Sequence, residues 1–335
     1  MNYDLSQFKK TVVRIFFWYI GLLMLFIAGS RFFGPDVDFI AYKEMIENIR
    51  YRENNKEFSF QFFLWLNDLI FYSNANVFMF MFASMSLSVK FYALFKLSRI
   101  PLISLALYIV SYFWLHEYVQ IRTAIAIGFF LLSIKDLSEG NLKKYMLKVL
   151  LATLFHWSSL ILIPLYFIIR YLPTKLFLYL PFMGLLIYYF GFLPSFAYSE
   201  AFLLFGPVYE ITPFNLNSFM NLFLFSTSYF VFTHRASTSS SFDITLIKIF
   251  SFSYFLYCLL CALSLPIAAY RFSEYFNVIV VLIFPALIFH LRKKVILALI
   301  TTLLAFTYSL RYGYILLVDV ETAPVLRDVI KNLSL

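Results

Sequence analysis

The sequence predicts an all-α, polytopic integral membrane protein with about nine to eleven transmembrane helices, because a helix needs about 20 apolar residues to cross a bilayer. Three observations carry that class. The chain of 335 residues is 62% hydrophobic and only 13% charged, about half the ~25% charge of an ordinary globular domain. Apolar runs recur from end to end, separated by short polar breaks. Many of them show none of the alternation that a membrane β-barrel requires. The net charge of +9 lies in short basic clusters between these runs. Positive-inside topology accounts for that placement better than nucleic-acid binding does.

The elements follow in chain order. Lys9, Lys10 and Arg14 precede "IFFWYIGLLMLFIAG". A cleaved signal peptide has a similar outline, but the bulky aromatics favour a retained first span over 12–30. Residues 31–75 then form an outer loop opened by Asp36 and Asp38. Within it, the short stretch 58–73 reads as an amphipathic helix on the outer surface. Further spans are expected near 76–96, 100–116, 119–136, 176–194, 218–234, 245–264, 272–290 and 295–314, with a second outer loop over 195–217. All belong to one transmembrane domain, 1–335. Residues 145–169 allow two readings: a broken hairpin of two half-helices meeting near "HWSS", or one plain span that leaves Arg170 and Lys175 outside. "CLLC" (Cys258 and Cys261), inside an apolar run, reads as two small buried hydrophobes rather than a redox pair.

The basic clusters set the sidedness. Lys9/Lys10/Arg14, Lys90/Lys96/Arg99, Lys135/Lys143/Lys144/Lys148, Arg170/Lys175, Arg235/Lys248 and Arg292/Lys293/Lys294 are placed on the cytoplasmic side. The acids were not used in that placement, and 14 of the 18 fall on the other side.

Near that outer face, ionisable groups from distant parts of the chain collect at one depth. Arg122 follows the expected outer turn "HEYVQ", and Arg271 stands in "PIAAYRFSEYF". His156 lies at the tip of the expected hairpin, and Asp38 in the first outer loop. An ionisable group in a span costs a few kcal/mol at least, so each needs a reason. Plain reasons exist: arginines snorkel to headgroups, His156 can be a structural histidine, and Glu117 and Glu274 can simply pair with the arginines beside them. His116, His234 and His290 are expected at the membrane interface. Two fixed guanidiniums facing a partly dry cavity instead suit a diphosphate, whose oxygens match the guanidinium fork. Arg122 and Arg271, with their neighbours Gln120 and Tyr270, are the diphosphate-binding candidates. His156, Glu274, Glu117 and Asp38 are the general-base candidates.

"YVQIRTAIAI" (Tyr118 to Ile127), the basic link "NLKKYMLK" and "LLATLFHWSSLILIPL" (Leu150 to Leu165) together resemble the EpsG-like and Wzy-type polysaccharide polymerases. "DVDFIAYKEM" is similar to the aspartate-tyrosine loop of that family, and "YRFSEYF" to its late arginine-aromatic motif. Thr123 and Trp157 depart from the pattern. The resemblance implies a bacterial inner-membrane glycosyltransferase that joins repeat units of O-antigen, capsule or exopolysaccharide at the periplasmic face. Its donor and acceptor would be undecaprenyl-diphosphate-linked oligosaccharides. Membrane lipids would surround it, with a chain-length regulator as an optional further partner, no nucleic acid, and no bound metal or cofactor. The rival readings are a flippase for the same lipid-linked units, disfavoured by only nine glycines and no internal repeat, and a glycan ligase or membrane O-acyltransferase.

Overall fold

The computed structural model describes residues 5–35, 37–48, 57–191, 212–234 and 239–318. Asp36, Arg235 and most of the loop 195–217 lie outside the described residues. Within them are fourteen α-helices and no strand. They are α1 (Leu5–Gly29), α2 (Val37–Glu47), α3 (Phe58–Phe71), α4 (Ala75–Leu97), α5 (Pro101–Ser111), α6 (Ile121–Glu139), α7 (Leu142–Phe155), α8 (Leu162–Tyr171), α9 (Thr174–Phe190), α10 (Leu216–His234), α11 (Ser241–Ala262), α12 (Pro266–Asn277), α13 (Val280–Leu291) and α14 (Val295–Val318). A π-helix (Trp114–Val119) joins α5 to α6, and a 3₁₀ turn (Trp157–Ile161) joins α7 to α8. Four stretches are long and apolar enough to cross a bilayer: Thr11–Gly29, Ala75–Leu97, Ser241–Ala262 and Ala268–Leu291. This is an all-α polytopic membrane protein.

Local chemistry places the boundaries. The Asn74 side chain caps α4 by accepting from the Val77 N–H at 3.2 Å. Ser240 and Asp243 close a reciprocal capping box on α11. Gly140 ends α6 at φ +76°, a conformation glycine enters without steric cost.

That turn opens the hairpin. α7 runs away from Gly140 and stops at His156, whose extended backbone (φ −155°, ψ 117°) breaks the helix. α8 then returns alongside α7. The Tyr145 hydroxyl donates to the Leu162 carbonyl at 2.7 Å, and the Tyr166 hydroxyl to the Gly140 carbonyl at 2.9 Å. A Cβ at Gly140 would lie 2.9 Å from the Arg170 guanidinium carbon, so the chain has come back to its starting level. Of the two readings of 145–169, the structure has the broken hairpin.

Ion pairs gather where the basic clusters are. Arg99 bonds Asp243 at 3.0 Å, with His290 on the same carboxylate oxygen at 3.2 Å. Lys148 pairs with Asp136 near the end of α6. Lys248 bonds the Ile169 and Leu172 carbonyls, each at 3.0 Å, at the end of α8. This is the basic end. The start of α6 and the hairpin tip lie at the opposite end, about 20 Å away at 1.5 Å per residue.

Three expectations need correction. The stretch 100–116 does not end in an outer turn: α5 runs to Ser111, a π-helix carries the chain on to Val119, and His116, Glu117 and Tyr118 of "HEYVQ" are buried in it. Lys90 does not belong to a cytoplasmic cluster. It is fully buried inside α4 and paired with Glu117, since an ammonium at that depth needs a counter-charge more than a route to water. His116 and His290 are buried rather than interfacial, His116 stacked on Tyr112 and His290 held by Asp243. α3 turns Ser59 and Asn67 inward and Phe62, Trp65 and Leu69 outward, an apolar face of the kind that an interfacial helix presents to lipid. Cys258 and Cys261 are buried side by side on α11, and the close approach of α9 puts Gly184 against Cys258.

Candidate active site

Three chain breaks at the end opposite the basic clusters deliver the site. Arg122 is in the first turn of α6, just after the non-helical Gln120. Glu57 stands at the N-terminus of α3 with its side chain turned away from the helix's own N–H groups, and His156 is the residue at which α7 breaks. Arg122 Nη1 pairs with Glu57 Oε2. The other oxygen of the same carboxylate, Oε1, lies 3.1 Å from His156 Nδ1. Arg122 Nε also donates to the Tyr42 hydroxyl at 3.1 Å, and the guanidinium stands 5.8 Å from the Phe60 ring centroid. Asp38 lies one turn before Tyr42 on α2 and acts on it electrostatically.

The charges follow from these contacts. Burial alone would raise the Glu57 carboxyl. The His156 hydrogen bond and the Arg122 charge outweigh it and hold the group at about 2. Burial is also the main cause raising the Tyr42 hydroxyl. With ionised Glu57 accepting from Nδ1–H, the lone pair of His156 sits on Nε2, where the Ser158 hydroxyl lies 2.9 Å away. Glu57, His156 and Ser158 thus form a carboxylate–imidazole–hydroxyl series with the roles of an acid–base relay. Arg122 uses two of its five N–H groups on Tyr42 and Glu57 and remains 22% exposed, which leaves donors for an anion.

The other predicted residues fall into two places. Gln120 Nε2 donates to Glu274 Oε2 at 3.2 Å, tying α12 to the start of α6. The neighbouring Tyr275 hydroxyl meets Ser159 at 3.0 Å, tying α12 to the hairpin tip. On the same helix Tyr270 is half-buried, and Arg271 is exposed without a hydrogen bond or ion pair among the described residues. Glu117 stands apart from Arg122. One of its oxygens accepts from Lys90 at 2.5 Å, Tyr108 at 2.6 Å and Ser86 at 3.1 Å, all of them buried.

Glu57 was missed by sequence reasoning. It ends the polar run "YRENNKE", which reads as a solvated loop. The available signal was its place directly before an apolar stretch, where a carboxylate suits a helix N-terminus.

Below the charged cluster, an apolar crevice of about 370 Å³ opens between α4, α6 and the hairpin tip, lined by Met85, Val89, Ile125, Phe129 and Phe155 with Ser84 and Ser88. Ile125 is one turn after Arg122, and Phe155 is next to His156, so crevice and charges adjoin.

Fold and site together define a polytopic membrane protein with an arginine and a carboxylate-held histidine at one end. The chain belongs to the EpsG family, whose family model matches residues 14–324. Membership makes it one of the Wzy/EpsG-like polysaccharide polymerase family and points to a polymerase-like glycosyltransferase role. Neither a curated protein nor a solved structure gives a match.

Proposed function

We propose that this protein polymerises lipid-diphosphate-linked oligosaccharide units, the lipid being undecaprenyl, at the periplasmic face of the inner membrane. The observation that carries the reading is the meeting of Arg122 and His156 on the two oxygens of Glu57. In the reaction, an acceptor sugar hydroxyl gives its proton to His156 Nε2 as its oxygen bonds the anomeric carbon of the donor. The bond from that carbon to the diphosphate oxygen breaks, and the electron pair leaves with the lipid diphosphate. Arg122 meets the growing negative charge, which is useful because that charge is larger in the transition state than in the ground state. Glu57 keeps the imidazole in the tautomer that accepts, and balances the imidazolium that forms. The Ser158 hydroxyl occupies the place that an acceptor hydroxyl takes.

Two further observations support the reading. The adjoining crevice offers the donor's hydrocarbon chain an apolar path within the bilayer. The ion pairs of Arg99 and Lys148 and the carbonyl-bound Lys248 lie at the far end, which positive-inside topology puts in the cytoplasm. Arg271, exposed on a helix tied to both the hairpin tip and the start of α6, supplies a second guanidinium for the diphosphate.

The test is complementation of a deletion strain, with the surface polysaccharide displayed on a gel. His156→Ala should abolish the ladder while the protein stays in the membrane at its normal level. A normal ladder returns His156 to a structural role. Ser158→Ala should retain the ladder; its loss assigns Ser158 as a covalent nucleophile and favours an acyl-transfer reading instead.

A further inference from the structure

Lys90 and Glu117 lie inside the bundle, 0% and 1% exposed, with Nζ and Oε1 2.5 Å apart. Nothing in the proposed reaction uses them. Replacing a buried ion pair by apolar residues of the same volume is often neutral or stabilising, so stability alone is a weak account of this pair. Their place in the chain indicates another.

Glu117 belongs to the π-helix Trp114–Val119, which delivers the chain to Gln120 and the start of α6. A single π turn inside an α-helical protein carries a surplus residue and is often found at a functional site. Arg122 is five residues after Glu117, with only the non-helical Gln120 between the π turn and α6, so where the π turn ends fixes where α6 begins and with it the place of Arg122.

The turn is held from three sides. Lys90, Tyr108 and Ser86 converge on one oxygen of the Glu117 side chain. Arg31 Nη1 donates to the Glu117 carbonyl at 2.8 Å. The Tyr118 hydroxyl donates to the Ile27 carbonyl at 3.0 Å. Lys90 touches α6 a second time: Gly128 has no side chain, and a Cβ there would lie 3.3 Å from Lys90 Cγ and 2.9 Å from Val89 Cγ1. One lysine on α4 therefore contacts both the π turn and the helix that follows it.

We propose that Lys90 and Glu117 are a positioning pair that locks the register of the π turn and so aims Arg122 at Glu57. The proposal rests on the functional reading above only for the consequence of misaiming. The geometry itself is measured without any substrate.

The experiment compares Lys90→Met, the double variant Lys90→Met/Glu117→Leu, and the native chain. Lys90→Met alone leaves a buried carboxylate uncompensated and should lower the amount of folded protein. The double variant removes both charges and should restore it. In each background, a second set carries Glu57→Cys and Arg122→Cys, and cross-linking by a short bifunctional thiol reagent reports how often the two positions face one another. The expected result is a double variant with native abundance and melting temperature, a cross-link yield reduced at least several-fold, and a polymer yield reduced roughly 100-fold, the scale of losing one transition-state contact. Native cross-link yield in a folded double variant overturns the proposal and leaves the pair purely structural. A reduced cross-link with a native ladder upholds the positioning and sinks the role of Arg122 in the reaction, so the two failures separate. Should the double variant not accumulate, Glu117→Gln decides. It keeps the size of the side chain and removes the carboxylate that Lys90 holds, so an unchanged cross-link there overturns the proposal, whereas a reduced one supports it.

Discussion

Arg122 and His156 are joined through Glu57: the guanidinium bonds one carboxylate oxygen and the imidazole Nδ1 lies 3.1 Å from the other. The carboxylate does two things at once. It balances a permanent charge at the start of a membrane helix, and it fixes which ring nitrogen of the histidine carries the proton. A change at Glu57 therefore disturbs both partners, and that coupling sets the first prediction.

Glu57→Gln keeps the shape but replaces one oxygen with an amino group. The amide donates where an oxygen accepted, and the imidazole turns to the tautomer with its proton on Nε2. Polymer formation should fall by roughly 10³–10⁴, as when a triad carboxylate becomes an amide. Membrane abundance should stay within a few-fold of native. A gel ladder of native intensity shows that Glu57 serves packing only.

Arg122→Lys retains a charge and loses the planar fork, and Arg122→Ala loses both. The lysine variant should be strongly impaired and the alanine variant null, at about 3–4 kcal/mol, or roughly 10²–10³ in rate, for one transition-state contact. Surface lipid bearing one repeat unit and no ladder is the expected gel pattern. Absence of even the single unit identifies a flippase, and a full ladder leaves Arg122 an anchor of α6.

Acid should weaken the cluster in a defined window. The Glu57 carboxyl is held at about 2 against an ordinary 4.5. A depressed carboxyl contributes stability that is fully present above its unfolded value and is lost as pH falls through its folded value. Detergent-purified protein should therefore keep a constant melting temperature above about pH 5 and lose it progressively from about 4.5 toward 2. The Glu57→Gln variant should show a shallower decline across that window. Parallel declines remove Glu57 as the source.

The hairpin can be read by thiol labelling. Trp157 is exposed at the tip, and Lys175 begins α9 just after α8 has returned to the basic end. Trp157→Cys should react with an impermeant reagent from outside the cell, and Lys175→Cys only after the membrane is opened. Outside labelling at Lys175 contradicts the proposed sidedness.

Much of the architecture was legible because hydropathy is a property of contiguous residues. The four long apolar spans and the interruption at "HWSS" depend on neighbours in the chain. The same local reading drew attention to Arg122 and His156, since an ionisable side chain in an apolar run stands out without knowledge of its partner. It misplaced Lys90, because a lysine fifteen residues after the start of α4 resembles a snorkelling residue until its partner is known. It also took the π-helix for an outer turn, because "HEYVQ" is polar enough for a loop.

The sequence by itself determined a helical membrane protein, its long apolar spans and the break at "HWSS", and two of the side chains that meet at its charged end. Only the tertiary structure decided which carboxylate joins them, and which lysine answers Glu117. Glu57 and Lys90 reach their partners across loops and neighbouring helices. Whether a buried charge pairs, snorkels or acts on a ligand depends on atoms within a few ångströms in space, which hydrophobic patterning along the chain does not encode.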